Sequence, residues 1–174
     1  RVLGSFTRDD VLILQNENNM MDRVIRPARQ QGMHIMFNPA PCTPEVGEYP
    51  LELADTLILN EIEAEMLTGL PGHAPQQLIR AAGERCRQAD IILTLGSKGS
   101  LFLSQGAVHE LPPVKVKAVD TTSAGDTFIG YYAGALTRGY SPLQALEKAS
   151  RAAAACVTRH GANPSIPYWG EVFG

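Results

Sequence analysis

The chain is organised around DTTSAGD, residues 120–126, which leads into an apolar helical pattern that ends near Leu136. This stretch lies where a strand pattern gives way to a helix pattern, so the N–H groups at the helix start can point at an anion. The small residues Ser123, Ala124 and Gly125 let a charged oxygen approach the backbone, and glycine tolerates turn conformations that are closed to other residues. The stretch therefore predicts a phosphate site.

Asp126 falls in the first turn of the predicted helix, where the macrodipole favours an ionised carboxylate. A carboxylate beside a bound phosphate can accept a proton from an alcohol as the alcohol attacks phosphorus. Asp126 is therefore a candidate catalytic base and substrate contact. An ordinary helix N-cap followed by a first-turn acid explains the same spacing, and the spacing alone does not separate the two interpretations.

The same heptapeptide resembles the signature DTTGAGD of the ribokinase-like (PfkB) carbohydrate kinases, and six of its seven positions agree. The resemblance implies a general base at Asp126 and an anion hole at Ser123, Ala124 and Gly125. Ser123 departs from the family, which has glycine or often alanine at this position. If the position requires a positive φ angle, serine costs stability or loosens the anion hole.

The composition is that of a soluble globular chain, since 44% of its 174 residues are hydrophobic and 19% are charged. The formal charge of −3 does not favour binding to nucleic acid or to an anionic membrane, so a small-molecule partner is expected. No apolar run approaches the roughly 18 residues of a membrane span, and no signal peptide opens the sequence. The sequence begins at Arg1, so an upstream part of the protein is expected to be missing.

Cysteine and histidine spacing argues against disulfide and zinc sites. The three cysteines lack CxxC spacing, which favours a reducing compartment and predicts a cytoplasmic protein. The four histidines lie far apart, so no zinc site is expected. A Rossmann oxidoreductase would need GxGxxG after a strand, and the sequence has no such run.

The run Val11–Leu14 is of the apolar type buried in parallel sheets, and the polar residues 15–19 follow it directly. Ligands of open α/β sheets bind beyond the carboxyl ends of the strands, where this polar cluster falls. A solvated loop before the next helix is the alternative. In the family that the chain resembles, an acidic residue at this point reaches the sugar, which makes Glu17 a candidate substrate contact.

Two further strands are predicted over His34–Asn38 and Thr56–Leu59, and a short helix over Asn60–Leu67. Asn60 and Glu63 lie one helical turn apart on the same face, an arrangement that can hold a hydrated Mg²⁺ beside nucleotide phosphates. The pair looks like the NxxE motif of the same family. The alternative is an acidic helix start that merely suits the dipole.

A fourth strand, Ile91–Leu95, leads into the glycine-rich Gly96–Ser100. The spacing is not that of a P-loop, and a hairpin turn is the alternative interpretation. The segment TLGSKG nevertheless resembles the ATP-binding loop of the family. The resemblance implies nucleotide contacts at Asn60, Thr94, Leu95, Gly96, Ser97, Lys98, Gly99, Gly125 and Ser150.

The remaining pattern predicts a hairpin over Leu101–Glu110 and a strand over Val114–Val119. Helices are predicted over Pro75–Gln88, onward from Asp126, and after Ser141, which begins a capping pattern.

The turn at residues 159–165 resembles a family segment, TRxGAxPS, that borders the adenine and helps to hold a monovalent cation. Composition alone predicts only a turn here. The resemblance implies K⁺ contacts, mostly through backbone carbonyls, at Asp120, Thr122, Cys156, Arg159, Gly161 and Ser165.

Taken together, these patterns predict one α/β unit over residues 1–174, with a mostly parallel sheet, helices on both faces, and no counterpart of the family's N-terminal half and lid. The predicted activity is transfer of the γ-phosphoryl group of ATP to a primary hydroxyl of ribose or a similar sugar, with Mg²⁺ and K⁺ as cofactors. A non-catalytic nucleotide-binding or regulatory module is the alternative, as is a kinase for fructose, 2-keto-3-deoxygluconate or adenosine. A homodimer formed through the absent lid also stays open.

Overall fold

The computed structural model describes residues 2–17 and 20–174, which divide into two compact units. The first unit runs up to Gly96 and also contains Ser100–Glu110. The second consists of Ser97–Gly99 and Leu111–Gly174. Each unit is therefore described by itself, and the prediction of a single unit over the whole chain stays a prediction.

The sheet of the described chain has six strands in the order β1-β2-β3-β4-β5-β6. Strands β1 to β4 are mutually parallel, and β5 runs antiparallel to β4. This arrangement confirms the predicted mostly parallel sheet. The strands are β1 Val11–Gln15, β2 His34–Asn38, β3 Thr56–Asn60, β4 Asp90–Thr94, β5 Ser100–Ser104 and β6 Ala107–Leu111.

Three helices of the first unit pack on one face of this sheet: α1 Met21–Gln30, α2 Glu61–Thr68 and α3 Pro75–Arg85. The helix prediction over 75–88 is three residues too long, because α3 ends with Cys86 as its C-cap. Short 3₁₀ turns cover Val2–Ser5, Pro44–Glu48, Leu51–Leu53, Gly96–Lys98 and Asn163–Ser165.

The central strands are apolar on both faces, as expected for strands covered on both sides. Alternate residues of β2, β3 and β4 join the core that contains α1, α2 and α3, and the residues between them are buried as well. The core positions of these strands are Ile35, Phe37, Leu57, Leu59, Ile91 and Leu93.

Strand β1 differs from its predicted burial. Ile13 is 42% exposed and the other four residues of the strand are only half-buried. Within the described sheet β1 is the outermost strand and pairs with β2 alone. An apolar run identifies a strand, but its burial depends on neighbours that the run does not encode.

The predicted hairpin is confirmed, whereas the strand predicted over Val114–Val119 is wrong. Gln105 and Gly106 join β5 to β6 with φ angles of 50° and 82°, and this pair of positive values is typical of a type I′ turn. Residues 112–119 are irregular, and Val114, Val116 and Val119 are 40–47% exposed. Prolines begin the segment and lack the N–H groups that a strand ladder needs.

The second unit contains α4 Ala124–Leu136, α5 Pro142–Cys156 and the short α6 Trp169–Phe173, and α4 packs against α5. The predicted capping box of α5 is confirmed, since the Ser141 N–H donates to Gln144 Oε1 at 3.0 Å and the Gln144 N–H donates to Ser141 Oγ. None of the helices in residues 2–17 and 20–174 is long and apolar enough to cross a membrane.

Candidate active site

The start of α4 has the geometry that the DTTSAGD stretch predicts. The Thr127 N–H donates to the Ser123 carbonyl at 2.9 Å, and Gly125 lies in the turn before this bond, where helix N–H groups commonly lack an acceptor one turn back. The Ala124 N–H donates to the Thr121 carbonyl at 3.2 Å instead. Among the described residues, the Gly125 N–H has no hydrogen-bond partner. Gly125 is therefore the clearest anion donor of the three residues predicted.

Ser123 occupies the left-handed region, with φ 60° and ψ 10°. The conditional expectation at this position is thus met, since the fold requires a positive φ where the resembling family has glycine or alanine. A serine accepts this conformation at a cost of about 1–2 kcal/mol. The strain lies at the first residue of the predicted anion hole.

Asp126 is exposed to solvent in the first turn of α4, next to the exposed Gly125. The side chain is therefore accessible to a substrate. A carboxylate turned into the core of the second unit would have excluded the predicted role as a base.

Asp120 links the DTTSAGD stretch to the turn at residues 159–165. Its Oδ1 accepts the Thr122 N–H at 2.9 Å and its Oδ2 accepts the Gly161 N–H at 3.0 Å. Hydrogen bonds from Thr122, first its side chain and then its backbone, and from the Gly161 backbone lower the pKa of Asp120 to about 2. Asp120 is consequently ionised at neutral pH.

Three further residues of the predicted cation site lie together in the second unit. Cys156 Sγ lies 3.2 Å from Ser165 Oγ and donates to the Thr122 carbonyl at 3.8 Å. Ser165 Oγ in turn donates to the Ala162 carbonyl at 2.6 Å. An ionised carboxylate with carbonyl and hydroxyl oxygens is the donor set that suits a hard cation such as K⁺.

Arg159 is directed differently from the other predicted cation residues. Its guanidinium pairs with Glu171 of α6 at 3.0 Å, while its backbone N–H donates to the Cys156 carbonyl. Only the backbone of Arg159 therefore belongs with the predicted cation residues.

The predicted magnesium pair forms a capping box at the start of α2. The Glu63 N–H donates to Asn60 Oδ1 at 2.8 Å, and the Asn60 N–H donates to Glu63 Oε2 at 2.9 Å. Glu63 is only 7% exposed, and burial raises the pKa of its carboxyl group against the lowering effect of hydrogen bonds from Asn60 and Asn38. The capping bonds and the proposed Mg²⁺ site therefore involve the same two side chains.

The oxygens of this pair are partly occupied by hydrogen bonds. Asn60 Oδ1 and Glu63 Oε2 each accept a backbone N–H group. No group of three His, Cys, Asp or Glu side chains that could hold a metal occurs in the described ranges. The amide and carboxylate oxygens do fit an ion that keeps its water shell, as Mg²⁺ usually does.

The predicted nucleotide loop, residues 94–99, includes the 3₁₀ turn Gly96–Lys98 that follows β4. Thr94, Leu95 and Gly96 belong to the first unit, where Thr94 Oγ1 donates to the Leu59 carbonyl at 3.2 Å. Ser97, Lys98 and Gly99 belong to the second. Gly99 has φ 96°, and a Cβ atom there would lie 2.1 Å from the Leu111 carbonyl oxygen. Its backbone therefore needs glycine whether or not a nucleotide binds.

The remaining predicted residues lie apart from these clusters. Glu17 is exposed in the turn after β1, and Ser150 is half-buried in α5. The last two residues of the polar cluster at 15–19 lie outside the described residues.

From the sequence, Asn38 is placed at the end of a predicted strand but is assigned no role in the site. It ends β2 and its amide contacts Glu63 and Gln15. One feature of the sequence could have pointed to Asn38, because each of the four parallel strands ends in a polar residue: Gln15, Asn38, Asn60 and Thr94.

Comparison with known proteins identifies the relatives of this chain. The model of the pfkB family carbohydrate kinases matches residues 4–169. The ribokinase of Haemophilus influenzae is 34% identical over 168 residues, which cover 94% of this chain and 55% of the relative. The chain thus spans about half the length of the curated relatives that it matches.

Solved structures agree with this assignment. Ribokinase from Thermotoga maritima matches with a TM-score of 0.80 at 36% identity, over 94% of this chain and 55% of its own. Arabidopsis thaliana ribokinase, solved with ribose and ATP, matches with a TM-score of 0.82 at 30% identity, over 93% and 54%. Because the family model covers nearly the whole sequence and the fold is shared, the chain belongs to the pfkB family of carbohydrate kinases.

Proposed function

We propose that the protein containing this chain is an ATP-dependent sugar kinase, which transfers the γ-phosphoryl group to a primary hydroxyl of ribose or a similar sugar. The observation that carries the proposal is the start of α4, where an exposed Asp126 directly follows the unpartnered Gly125 amide of the described chain. A base and an anion donor on one helical turn meet the two needs of phosphoryl transfer to an alcohol. Membership of a carbohydrate kinase family supports the same conclusion.

In this mechanism Asp126 accepts the proton of the attacking hydroxyl while the amides of the first turn stabilise charge on the transferring phosphoryl oxygens. The α4 dipole favours both the bound anion and the ionised form of Asp126. Docking of α4 on α5 fixes the direction in which the carboxylate points. The Asp126 carboxylate and the amides of the first turn therefore keep a fixed distance and orientation relative to each other.

Asn60 and Glu63 are the residues proposed to hold a hydrated Mg²⁺, which would neutralise charge on the nucleotide phosphates. Asp120, Thr122, Cys156, Gly161 and Ser165, with the backbone of Arg159, are proposed to hold K⁺. Asp120 joins the DTTSAGD stretch to Gly161, so an ion here would stiffen the segment that leads into the anion hole. The nucleotide itself is proposed to contact residues 94–99, and Ser150 is a further proposed nucleotide contact.

Ribose is the first substrate to test, since the Arabidopsis relative was solved with ribose and ATP. Glu17 is the proposed sugar contact, because it follows the carboxyl end of β1. We also propose that the rest of the protein shields the acceptor and forms any homodimer. Three free cysteines support a cytoplasmic location.

The test of the proposed function is Asp126→Asn in the full-length protein, measured by coupled ADP release with ribose. Loss of a positioned base is expected to lower kcat by about 10²–10⁴-fold while the KM for ATP stays within a few-fold of wild type. The matched control is Asp22→Asn, because Asp22 is an exposed acid in the first turn of α1. Unchanged turnover would refute the role of Asp126, and nucleotide binding without any transfer by the wild type would favour a regulatory module.

A further inference from the structure

A chain of side-chain hydrogen bonds connects the carboxyl ends of β1, β2 and β3. Gln15 Nε2 donates to Asn38 Oδ1 at 3.2 Å, and Asn38 Nδ2 donates to Glu63 Oε2 at 3.2 Å. The Asn60 N–H donates to the same Glu63 oxygen at 2.9 Å. We call the residues Gln15, Asn38, Glu63 and Asn60 the relay.

The amide of Asn38 is held in one orientation. Its Nδ2 donates to the Ile58 carbonyl at 2.9 Å as well as to Glu63, and its Oδ1 accepts from Gln15. A flipped amide would place an oxygen against two acceptors. Asn38 is 8% exposed and Glu63 7%, so water does not readily replace these bonds.

From this geometry we propose that Asn38 is a positioning residue that couples the two ligand sites of the first unit. It fixes the Glu63 carboxylate beside the proposed Mg²⁺–nucleotide site and, through Gln15, ties that carboxylate to the strand end that leads to Glu17. The inference rests on the proposed function for the identity of the two ligands.

The physical reason is that Glu63 Oε2 accepts two hydrogen bonds at once. A hydrated ion that draws on Asn60 and Glu63 shifts this oxygen, and Asn38 follows because its amide is bonded to it. The amide then moves against Gln15, two residues before Glu17. Coupling of this type is reciprocal and usually changes affinity 5- to 150-fold.

The first experiment measures coupling by calorimetry on the full-length protein, with ribose and Mg²⁺ plus a non-hydrolysable ATP analogue as probes. The affinity for ribose is measured with and without the analogue, and the affinity for the analogue is measured with and without ribose. We expect each ligand to change the affinity for the other at least about 5-fold in the wild type. In Gln15→Leu we expect each ligand to change the affinity for the other less than two-fold. The affinity for Mg²⁺ and the analogue in the absence of ribose should be retained.

Asn38→Ala separates positioning from coupling. It is expected to lose the coupling and also to weaken binding of Mg²⁺ and the analogue about 10- to 100-fold, as changes next to metal-binding groups do. The control is Thr68→Val, on the same helix as Glu63, because the Thr68 hydroxyl donates only to the Ala64 carbonyl and lies outside the relay. The proposal is overturned if the wild type shows no coupling. It is also overturned if Gln15→Leu keeps the coupling of the wild type.

A second experiment needs no ligand. Thermal unfolding is compared for Asn38→Ala, Glu63→Gln and the double variant, and the double shift should be clearly smaller than the two single shifts combined. Additive shifts would overturn the relay. If the wild type binds neither nucleotide nor sugar, the proposed function fails, and this unfolding cycle still decides whether Asn38 holds Glu63.

Discussion

Gly99→Ala is expected to destabilise the protein strongly, for a steric reason that the structure makes explicit. The added Cβ would lie 2.1 Å from the Leu111 carbonyl oxygen and 2.9 Å from the Pro113 nitrogen, and these are backbone atoms that no rotamer change can move. The φ of 96° adds strain for any residue with a side chain. Left-handed strain and overpacking together amount to about 2–5 kcal/mol.

The matched control is Gly106→Ala in the β5–β6 turn. Gly106 has a similar φ of 82°, but a Cβ there meets nothing within 4 Å, so only conformational strain of about 1–2 kcal/mol is expected. The difference between the two variants therefore isolates the clash with Leu111 and Pro113.

The assay is thermal unfolding without nucleotide, so that a lost ligand contact cannot contribute. For a chain of this size each kcal/mol shifts the Tm by about 2–4 °C, so Gly99→Ala should lower it by about 4–20 °C and Gly106→Ala by about 2–8 °C. Equal shifts in the two variants would refute the steric argument, because φ alone would then explain both.

Three further outcomes follow from the second unit. Ser123→Val should lower the Tm by about 4–8 °C, whereas Ser123→Gly should change it by less than about 3 °C, because a β-branched residue tolerates φ 60° far worse than glycine does. The stability difference between wild type and Asp120→Asn should be full above pH 3.8 and disappear as the pH falls through about 2, measured by denaturant unfolding across that range. Glu171→Ala should lower the midpoint of denaturant unfolding only slightly, since the side chains of its pair with Arg159 are 39% and 43% exposed.

The sequence predicts those elements whose signals are local. Ser141, Pro142 and Gln144 specify a helix start within four residues, and the structure has α5 beginning there. Gly106 allows the tight turn of the hairpin in the same way. Each of these features depends on conformations and bonds within a few residues, so no distant part of the chain has to be known.

Burial and pairing depend on distant parts of the chain, and the predictions that needed them fail. The Val-Lys alternation of residues 114–117 satisfies a strand pattern, yet nothing in the described sheet pairs with this segment. Ile13 lies in an apolar run that is typical of a buried strand. In the structure it is exposed, because β1 is the outermost strand of the described sheet. In both cases the composition is right for a strand, and the missing information is which strand lies alongside.

The candidate site combines both situations. Asp126 and the turn before it could be identified from the sequence because one helix start supplies them, and Asp126 is an exposed residue in the structure. Its role as a base stays a prediction. Asn38 could not, because its importance arises only where β1, β2 and α2 bring Gln15 and Glu63 to either side of one amide. Glu63 shows why such residues matter, since a carboxylate buried in a capping box keeps its charge only if its donors stay in place. The same bonds that cap α2 therefore determine whether Glu63 is available to a hydrated ion, and a motif shared by helix caps and metal sites is distinguished by the neighbours that hold its carboxylate.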